Sequence, residues 1–348
     1  MSHMLHGGDI YTYQGALDFS VNINPLGPAE EVVSAAKSAV DEMERYPDPG
    51  CRALRAKLSK KLQVPEDFLI FGNGAAELMF TLTLAERPRK AVIAAPAFAE
   101  YERALLAADC EVQYYYRREE TGFILEEDFL DMLRNDVDMV FLCSPDNPVG
   151  NAIESRMLRR ILGCCEEKNI LLVLDECFID FMEGGREATL LEETKRTGNL
   201  LLLRAFTKIH ALPGLRLGFG ICGDKELLAR MSAATQPWNI SIPAQAAGLA
   251  ALRGEERIKK TREYVAKERT WLQERLQELG ITYFPSQVNY LLFKSEQNLF
   301  GELLKKNILI RDCQNYEGLE KGFYRIAVRK RKENEELVEA LRQISPVR

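Results

Sequence analysis

A lysine between a strand-like run and a turn is the first candidate for chemistry in this sequence. Lys208 follows the apolar run LLLRAF (201–206), and Pro213 and Gly214 turn the chain shortly afterwards. A partly buried lysine beside other cations has a lowered pKa, and its neutral amine can form a Schiff base with a carbonyl. Arg216, past the turn, is a fixed cation suited to a phosphate group. Taken alone, either residue is more often a surface cation on a loop.

Two further polar residues follow buried strand-like runs. Asp175 comes directly after ILLVL, where a carboxylate needs a cationic or hydrogen-bonding partner. It could be a helix N-cap, a member of a structural ion pair, or the counter-ion of a protonated ring nitrogen. Asn147, within SPDNPVG (144–150), could be a turn residue or a donor to a ligand oxygen.

A glycine turn opens a helical segment earlier in the chain. The backbone N–H groups that follow GNG in GNGAAE (72–77) would suit a phosphate, although the motif alone favours a simple strand-to-helix turn. Ligands of open α/β sheets bind at the carboxyl ends of the strands. Five turn-rich or polar segments end strand-like runs here: GNGAAE, PAF (96–98), SPDNPVG, DECF (175–178) and RAFTK (204–208).

The elements that would position these segments form an α/β pattern. Short apolar runs alternate with helical segments from about residue 68, which predicts a mostly parallel sheet flanked by helices. After Pro243, long helical stretches, then strands and a final helix, suggest a smaller α+β domain. We predict an N-terminal arm over 1–27, a large α/β domain over 28–245 and a small domain over 246–348.

Composition and charge exclude several classes of protein. Lys and Arg number 46 against 52 Asp and Glu, for a formal net charge of -6, which argues against nucleic acid or an anionic membrane as the main partner. No apolar run approaches the ~20 residues that span a bilayer, and the N-terminus lacks a signal-peptide pattern. The 8 cysteines are scattered and the 3 histidines form no cluster. We therefore expect a cytoplasmic protein without disulfides or a protein-held transition metal.

Taken in order, the motifs resemble a known family. SPDNPVG, DECF and RAFTKIHALPGLRLG (204–218) are similar to the fold-type I enzymes that depend on pyridoxal 5'-phosphate. NINPLG (22–27) and RYPDP (45–49) are similar to the histidinol-phosphate aminotransferase branch of that family. The resemblance implies the fold-type I transferase architecture, pyridoxal 5'-phosphate as cofactor, a small-molecule substrate and a homodimer with shared active sites.

The resemblance also implies roles around the cofactor ring. Lys208 would form the Schiff base, and Asp175 would pair with the pyridinium nitrogen and keep the ring an electron sink. Phe98 would stack on the ring. Asn147 would bind the phenolic oxygen.

A second set of implied roles concerns the cofactor phosphate. The groups expected to hold it are the backbone N–H groups of Ala75 and Ala76, the side chains of Thr207 and Arg216, and Tyr46, which would reach the phosphate of the neighbouring subunit's cofactor. Ala205 stands where many relatives have a polar residue. Arg204 would compensate for that lost phosphate contact.

Two reactions compete within the branch. The motifs that resemble the threonine-phosphate decarboxylases of cobalamin biosynthesis are HGG (6–8), DFSVNINPLG (18–27), DECFIDF (175–181), PSQVNYLL (285–292), IRDCQNYEGL (310–319) and YRIAVR (324–329). Phe178 stands where histidinol-phosphate aminotransferases usually have a tyrosine that binds the phenolic oxygen, which also favours decarboxylation. Transamination of histidinol phosphate or another amino acid with 2-oxoglutarate is the alternative. A non-catalytic ligand-binding descendant is a third, disfavoured because Lys208 and Asp175 stand in their expected contexts.

The decarboxylase resemblance further implies a substrate site. Arg325 would hold the substrate carboxylate in a bidentate pair, and Asn147 would also contact the substrate. The residues expected at the substrate phosphate are His6, Gly7, Asn24 and Arg329. The remainder of the charge run RKRKENEE (329–336) is expected to be a solvated helix start. The bond that is held perpendicular to the ring is the one that breaks, so the clamping of carboxylate and phosphate would select the reaction.

Overall fold

Strands and α-helices alternate along residues 6–344, the part of the chain that the computed structural model describes. The strands are β1 (Leu17–Asp18), β2 (Leu69–Gly72), β3 (Lys90–Ala95), β4 (Glu111–Tyr116), β5 (Met139–Cys143), β6 (Leu171–Asp175), β7 (Leu200–Ala205), β8 (Gly218–Cys222), β9 (Thr282–Tyr283), β10 (Tyr290–Lys294), β11 (Ile308–Leu309), β12 (Arg311–Asp312) and β13 (Phe323–Ala327). The helices are α1 (Glu30–Ala39), α2 (Arg52–Leu62), α3 (Ala75–Glu86), α4 (Ala99–Leu106), α5 (Ser155–Glu167), α6 (Gly185–Ala188), α7 (Lys225–Ala234), α8 (Ile242–Ala251), α9 (Glu255–Glu278), α10 (Leu299–Leu304) and α11 (Arg331–Ile344).

The central sheet has seven strands in the order β2-β8-β7-β6-β5-β3-β4. Strands β4, β3, β5, β6 and β7 are parallel, whereas β8 is antiparallel to both of its neighbours. Because β8 reverses direction on each side, β2 runs the same way as β7. The mostly parallel sheet predicted from the sequence is confirmed.

Helices cover both faces of this sheet, which explains the nearly continuous apolar strands. Alternate residues of β5 show the division: Val140 and Leu142 pack in one core with residues of α2, α5 and α8. Phe141 packs in the other core with residues of α3, α4 and α7. Side chains of successive strand residues point to opposite faces, so a strand buried on both faces must be apolar throughout.

A smaller antiparallel sheet follows in the order β12-β13-β10-β9, with its own core against α9 and α11. The N-terminal segment crosses to this part of the chain, where β1 pairs in parallel with β11. Residues 1–5 of the predicted arm and 345–348 of the predicted small domain lie outside the described residues.

Helix α8 belongs with the large sheet. Ala244, Ala247, Ala251 and Leu252 are buried in the core that contains α1 and α2. The large core therefore continues past residue 245 to Leu252, and the long helix α9 begins the part of the chain that packs on the small sheet.

The topology brings the strand-end motifs to one edge of the large sheet. The register pairs Cys143 with Asp175, and Asp175 with Leu203, so the segments after β5, β6 and β7 leave the sheet at the same level. The turn after β2 leaves at this edge as well. Segments that are distant in sequence therefore meet in one site, as is usual for an open α/β sheet.

Candidate active site

Lys208 lies in the turn after β7 and is half-buried. Its Nζ stands 5.3 Å from the centre of the Phe178 ring. Burial lowers the pKa of the Lys208 amine to about 8, helped by the positive charges of Arg325 and Arg216 and opposed by Cys177 and Asp175. A substantial fraction of the amine is therefore neutral near physiological pH and able to attack a carbonyl.

Asp175 ends β6 and is 5% exposed. Its Oδ2 accepts a hydrogen bond from the Tyr101 hydroxyl at 2.7 Å, and its Oδ1 accepts from the Cys177 N–H at 2.9 Å. Burial and the Asp175 charge raise the pKa of Tyr101 well above its ordinary value, so this hydroxyl stays a donor. Both partners are uncharged donors that fix the carboxylate without neutralising it, which suits a counter-ion for a protonated ring nitrogen.

Phe98 stands at the entrance to α4, and its ring is half-buried. The Tyr101 ring meets it edge-on, with centroids 5.7 Å apart and an interplanar angle of 83°. This T-shaped contact fixes the plane of Phe98 and is a favoured arrangement of two aromatic rings. Phe98 thus presents a fixed aromatic side chain near the tyrosine that holds Asp175.

Arg325, on β13, joins the small sheet to the loop after β5. Its Nη1 donates to Asn147 Oδ1 and to the Tyr316 hydroxyl at 3.1 Å, and its Nη2 donates to the Ser20 carbonyl at 3.0 Å. The guanidinium carbon lies 5.4 Å from the centre of the Tyr290 ring. Arg325 Nε is buried and has no hydrogen-bond partner in the described structure. That N–H is suited to a ligand acceptor.

A candidate phosphate cradle stands at the N-terminus of α3, formed by Gly74, the first N–H groups of the helix and Arg216. Gly74 precedes the helix with a φ of +77°, and a Cβ placed on it would lie 2.4 Å from Arg216 Nη2. The first N–H groups of an α-helix have no partner within the helix, so those of Ala75 and Ala76 are available beside this guanidinium. Thr207, 8% exposed, immediately precedes Lys208. Backbone donors and a fixed cation at one point suit a phosphate.

The N-terminal HGG segment lies against two parts of the site. His6 Nε2 is 2.6 Å from Glu100 Oε1, and its ring centroid is 5.6 Å from that of Phe98. The Gly8 N–H donates to Ser20 Oγ at 2.7 Å, and a Cβ on Gly7 would lie 2.3 Å from the Ser20 carbonyl oxygen. Since that same carbonyl accepts from Arg325, the segment is tied to the neighbourhood of Phe98 at one end and of Arg325 at the other.

Arg329 lies four residues after Arg325, just past the end of β13. Its Nη1 donates to the Asp18 carbonyl at 2.7 Å, and its Nη2 is 2.5 Å from Glu333 Oε1. Arg329 Nε is buried without a partner in the described structure. The residue offers one N–H to a ligand, while Glu333 offsets part of its charge.

The geometry argues against the predicted substrate contact of Asn24. Its Nδ2 donates to the Ile209 carbonyl at 2.7 Å and to Thr261 Oγ1 at 3.1 Å, and its Oδ1 accepts from the Leu26 N–H at 2.9 Å. The side chain is used up in fastening the NINPLG turn next to Lys208. Sequence reasoning missed Asn22 instead, which is 2% exposed and whose Oδ1 has no partner in the described structure.

The expectation that Arg204 supports the cofactor phosphate is wrong. Its Nε and Nη2 donate to Glu176 Oε2 at 3.0 and 2.7 Å, and Nη2 also donates to Thr189 Oγ1 at 2.8 Å. Successive residues of β7 point to opposite faces of the sheet, so Arg204 faces away from the side to which Ala205 points. The motif RAFTK does not show that Arg204 and Ala205 point to opposite faces of the sheet.

Tyr46 lies on the surface of the single chain. It is 77% exposed and stacks on Trp238, with ring centroids 4.4 Å apart. Met43 beside it is 78% exposed. The predicted role of Tyr46 in a neighbouring subunit's site stays a prediction.

Two comparisons of sequence bear on this geometry. The family model described as aminotransferase class I and II matches residues 14–341. The chain is 39% identical over 332 residues to the threonine-phosphate decarboxylase of Salmonella typhimurium, which covers 94% of this chain and 91% of that protein. The resemblance noted from the motifs is confirmed at the level of the family.

Solved structures share the fold over nearly the whole chain. The histidinol-phosphate aminotransferase from Clostridium acetobutylicum matches with a TM-score of 0.88 and 31% identity, covering 94% of this chain and 98% of that one. The L-threonine-O-3-phosphate decarboxylase from Porphyromonas gingivalis matches with a TM-score of 0.81 and 25% identity, covering 94% and 98% of the two chains. Both proteins therefore share the overall fold described above.

The residues present fit the cofactor of this family. Gly74 lets the Arg216 guanidinium approach the N-terminus of α3, where a Cβ would overlap it, and Lys208 has the lowered pKa that a Schiff-base lysine needs. The buried carboxylate of Asp175 is held by uncharged donors, as a partner of a pyridinium nitrogen requires. The chain belongs to the aminotransferase class I and II family, and its cofactor is pyridoxal 5'-phosphate.

Proposed function

We propose that this enzyme decarboxylates L-threonine O-3-phosphate to (R)-1-aminopropan-2-yl phosphate and carbon dioxide, a step of cobalamin biosynthesis. The observation that carries the proposal is the position of the HGG segment, between Phe98 and the Ser20 carbonyl that binds Arg325. In that position the segment would cover the site at the end where a substrate phosphate would lie. The 39% identity to the Salmonella typhimurium threonine-phosphate decarboxylase over 94% of the chain supports the same function.

The bound cofactor supplies an acceptor for the electron pair that is released at the substrate's α-carbon. Asp175 would hold the proton on the ring nitrogen, because a buried carboxylate fixed by Tyr101 and the Cys177 N–H favours a cation beside it. Asn147 would donate from Nδ2 to the phenolic oxygen. Its Oδ1 is already committed to Arg325, so the orientation of the amide is determined.

Arg325 would orient the carboxylate that leaves. Its Nε–H and one Nη2–H are parallel, which is the arrangement that binds both oxygens of a carboxylate. Nε has no partner in the described structure, and Nη2 would exchange the Ser20 carbonyl for the substrate. Holding the substrate carboxylate at this position would favour cleavage of the bond to the carboxylate over cleavage of the C–H bond.

Lys208 would supply the proton that the α-carbon takes up after carbon dioxide has left. Its pKa of about 8 in the absence of substrate places it near neutrality, where it can both accept and give a proton. Phe178, 5.3 Å from Nζ, contributes no hydroxyl group to the cofactor. The phenolic oxygen then relies on Asn147.

The substrate phosphate would be bound by His6, the backbone at Gly7 and the free Nε–H of Arg329. Asn22 Oδ1 is buried without a partner in the described structure, but an amide oxygen only accepts hydrogen bonds, so Asn22 is not assigned to the phosphate dianion. The Arg329 guanidinium, the His6 ring and the Gly7 backbone would together discriminate strongly against a substrate without the phosphate.

A second copy of the chain would complete the site. Val40, Met43, Tyr46 and Trp238 have exposed apolar side chains, and Tyr46, which stacks on Trp238, would reach the cofactor phosphate of the partner subunit. Tyr46→Ala should weaken both the dimer and cofactor binding. No helix within residues 6–344 has the length and apolar character to cross a membrane.

Transamination is the second candidate, because the histidinol-phosphate aminotransferase from Clostridium acetobutylicum matches the fold with a TM-score of 0.88. The test is incubation of the holoenzyme with L-threonine phosphate in the absence of any 2-oxo acid. We expect carbon dioxide and (R)-1-aminopropan-2-yl phosphate to be released in a one-to-one ratio. No release, together with glutamate formation from histidinol phosphate and 2-oxoglutarate, would replace the proposal by the aminotransferase.

A further inference from the structure

A deeply buried ion pair lies next to the site, outside the residues assigned so far. Arg117 Nη2 is 3.0 Å from Asp146 Oδ2, and the two side chains are only 3% and 4% exposed. Desolvation offsets most of the Coulomb attraction of such a pair, so the ion pair is a weak source of stability. Its place in the chain suggests a different role, since Asp146 immediately precedes Asn147.

The Arg117 guanidinium fastens the loop that leads to Phe98. Nη2 donates to the Pro96 carbonyl and Nε donates to the Ala95 carbonyl at 3.4 Å. The backbone N–H of Arg117 donates to the same Ala95 carbonyl at 2.9 Å. Pro96 is two residues before Phe98. The position of the Phe98 ring therefore depends on a segment that begins with two carbonyls, those of Ala95 and Pro96, bound to one buried cation.

Asp146 is fixed equally closely on the other side of the pair. Its N–H donates to the Asn151 carbonyl at 2.8 Å, and its carbonyl accepts from the Gly150 N–H at 2.8 Å and from the Tyr290 hydroxyl. The backbone that leads into Asn147 is therefore held by the loop, by the small sheet and by the charge of Arg117.

We propose that the Arg117–Asp146 ion pair is a positioning device that sets the spacing between Phe98 and Asn147, and thereby the hydrogen bond from Asn147 to the cofactor's phenolic oxygen. One guanidinium binds both loops, so neither can shift without the other. A donor held against the phenolic oxygen favours its ionised form. The pair thus lowers the pH at which the visible absorption of the bound cofactor changes. This role is the same for a decarboxylase and an aminotransferase.

The test is the variant that carries both Arg117→Met and Asp146→Asn, which removes the two charges and keeps the side chains similar in size. The holoenzyme should fold, its dissociation constant for pyridoxal 5'-phosphate should rise about tenfold, and the pH midpoint of its visible absorption should move upward. Arg117→Met alone leaves a buried carboxylate without its cation, so its thermal midpoint should be the lowest of the set.

A control away from the cofactor is the ion pair of Arg331 with Glu268, which joins α11 to α9 and in which the guanidinium is 37% and the carboxylate 3% exposed. The variant Arg331→Met with Glu268→Gln should lower the thermal midpoint but leave the cofactor's affinity and absorption midpoint unchanged. If the Arg117/Asp146 double variant also keeps both cofactor readouts at wild-type values, the pair is only structural and the proposal is overturned. Failure of the single variant to fold does not affect this comparison.

Discussion

The Arg325 guanidinium donates from Nη1 to Oδ1 of Asn147, a residue 178 positions away in the chain. Arg325 lies on β13 of the small sheet, whereas Asn147 follows β5 of the large sheet. Because a guanidinium only donates, Asn147 turns its oxygen to Arg325 and keeps its amide nitrogen for another acceptor. One hydrogen bond thus links the residue proposed for the substrate carboxylate to the residue proposed for the cofactor's phenolic oxygen.

Arg325→Lys should damage both functions. An ammonium cannot bind a carboxylate through two parallel N–H groups while it also donates to Asn147. We expect kcat/KM for L-threonine phosphate to fall roughly 100-fold, corresponding to about 3 kcal/mol. The visible absorption midpoint of the cofactor should rise as well, because Asn147 loses the partner that fixes its amide.

Tyr316→Phe is the control for this variant. It removes the hydroxyl that accepts from Arg325 Nη1 at 3.1 Å but leaves the bond to Asn147. Substrate binding should weaken slightly and the cofactor's absorption midpoint should stay constant. An Arg325→Lys enzyme with a normal absorption midpoint would contradict the coupling.

The pKa of Lys208 predicts how the apoenzyme takes up its cofactor. Only the neutral amine attacks the aldehyde, and the folded chain lowers the pKa from 10.5 to about 8. Below that pH the uptake rate should fall by about tenfold per unit, and above it the rate should level off. Arg325→Met should move the midpoint upward, because the charge of Arg325 is the largest cause after burial. A rate that still rises at pH 10 would show that the lysine is not desolvated; stopped-flow absorbance measures it.

Gly74→Ala should reduce cofactor affinity because the added methyl group displaces Arg216. The added Cβ would lie 2.4 Å from Arg216 Nη2, at a φ of +77°. Gly15→Ala is a matched control, because it has a φ of +78° and no atom within 4 Å of its Cβ. Both changes strain the backbone by about 1 kcal/mol, but only Gly74→Ala should raise the dissociation constant for pyridoxal 5'-phosphate. Equal affinities of the two variants for pyridoxal 5'-phosphate would show that Gly74 and Arg216 do not bind the cofactor phosphate.

Much of the site was predictable because its residues sit at strand ends. Apolar runs, glycine turns and the alternation of helix and strand are local patterns, and a parallel sheet brings all carboxyl ends of its strands to one edge. The positions of Asp175 at the end of β6 and of Lys208 shortly after β7 follow from this rule, whereas their roles came from the family resemblance. The order of the strands then determines which residues lie beside them, such as Cys143, which pairs with Asp175 on the adjacent strand.

The remainder depends on the direction in which each side chain points and on pairs that are distant in sequence. Nothing in NINPLG distinguishes Asn22 from Asn24, yet only Asn24 is used up by hydrogen bonds to Ile209 and Thr261. Arg204 is not free to bind a phosphate because it donates to Glu176, which lies 28 residues away in the chain. A motif identifies residue types, whereas burial and long-range pairing determine which of them are free to bind a ligand.

Glu100→Gln should loosen the HGG segment. Glu100 Oε1 is bound by His6 at 2.6 Å and by Arg103 at 2.7 Å, and its side chain is only 10% exposed. The neutral amide oxygen of Gln is a weaker acceptor than the carboxylate, so the contact that holds His6 beside Phe98 is weakened. KM for L-threonine phosphate should rise several-fold, about 1 kcal/mol, while kcat and the cofactor spectrum stay nearly unchanged. Arg103→Met is the control, because it keeps the carboxylate and its contact with His6. A fall in kcat at constant KM would place Glu100 in the chemistry instead.

Arg329 tests whether the enzyme recognises a phosphorylated substrate. Arg329→Met removes the buried Nε–H that has no partner in the described structure, along with the ion pair to Glu333. Glu333→Gln removes the ion pair alone and frees the arginine's charge, so it separates the two effects. If Arg329 holds the substrate phosphate, Arg329→Met should raise KM for L-threonine phosphate by about 100-fold but change that for L-threonine little. Glu333→Gln should leave KM for the phosphorylated substrate the same or lower, because the full positive charge then faces the dianion. Equal effects of Arg329→Met on both amino acids, measured by carbon dioxide release, would assign Arg329 to the fold rather than to the substrate.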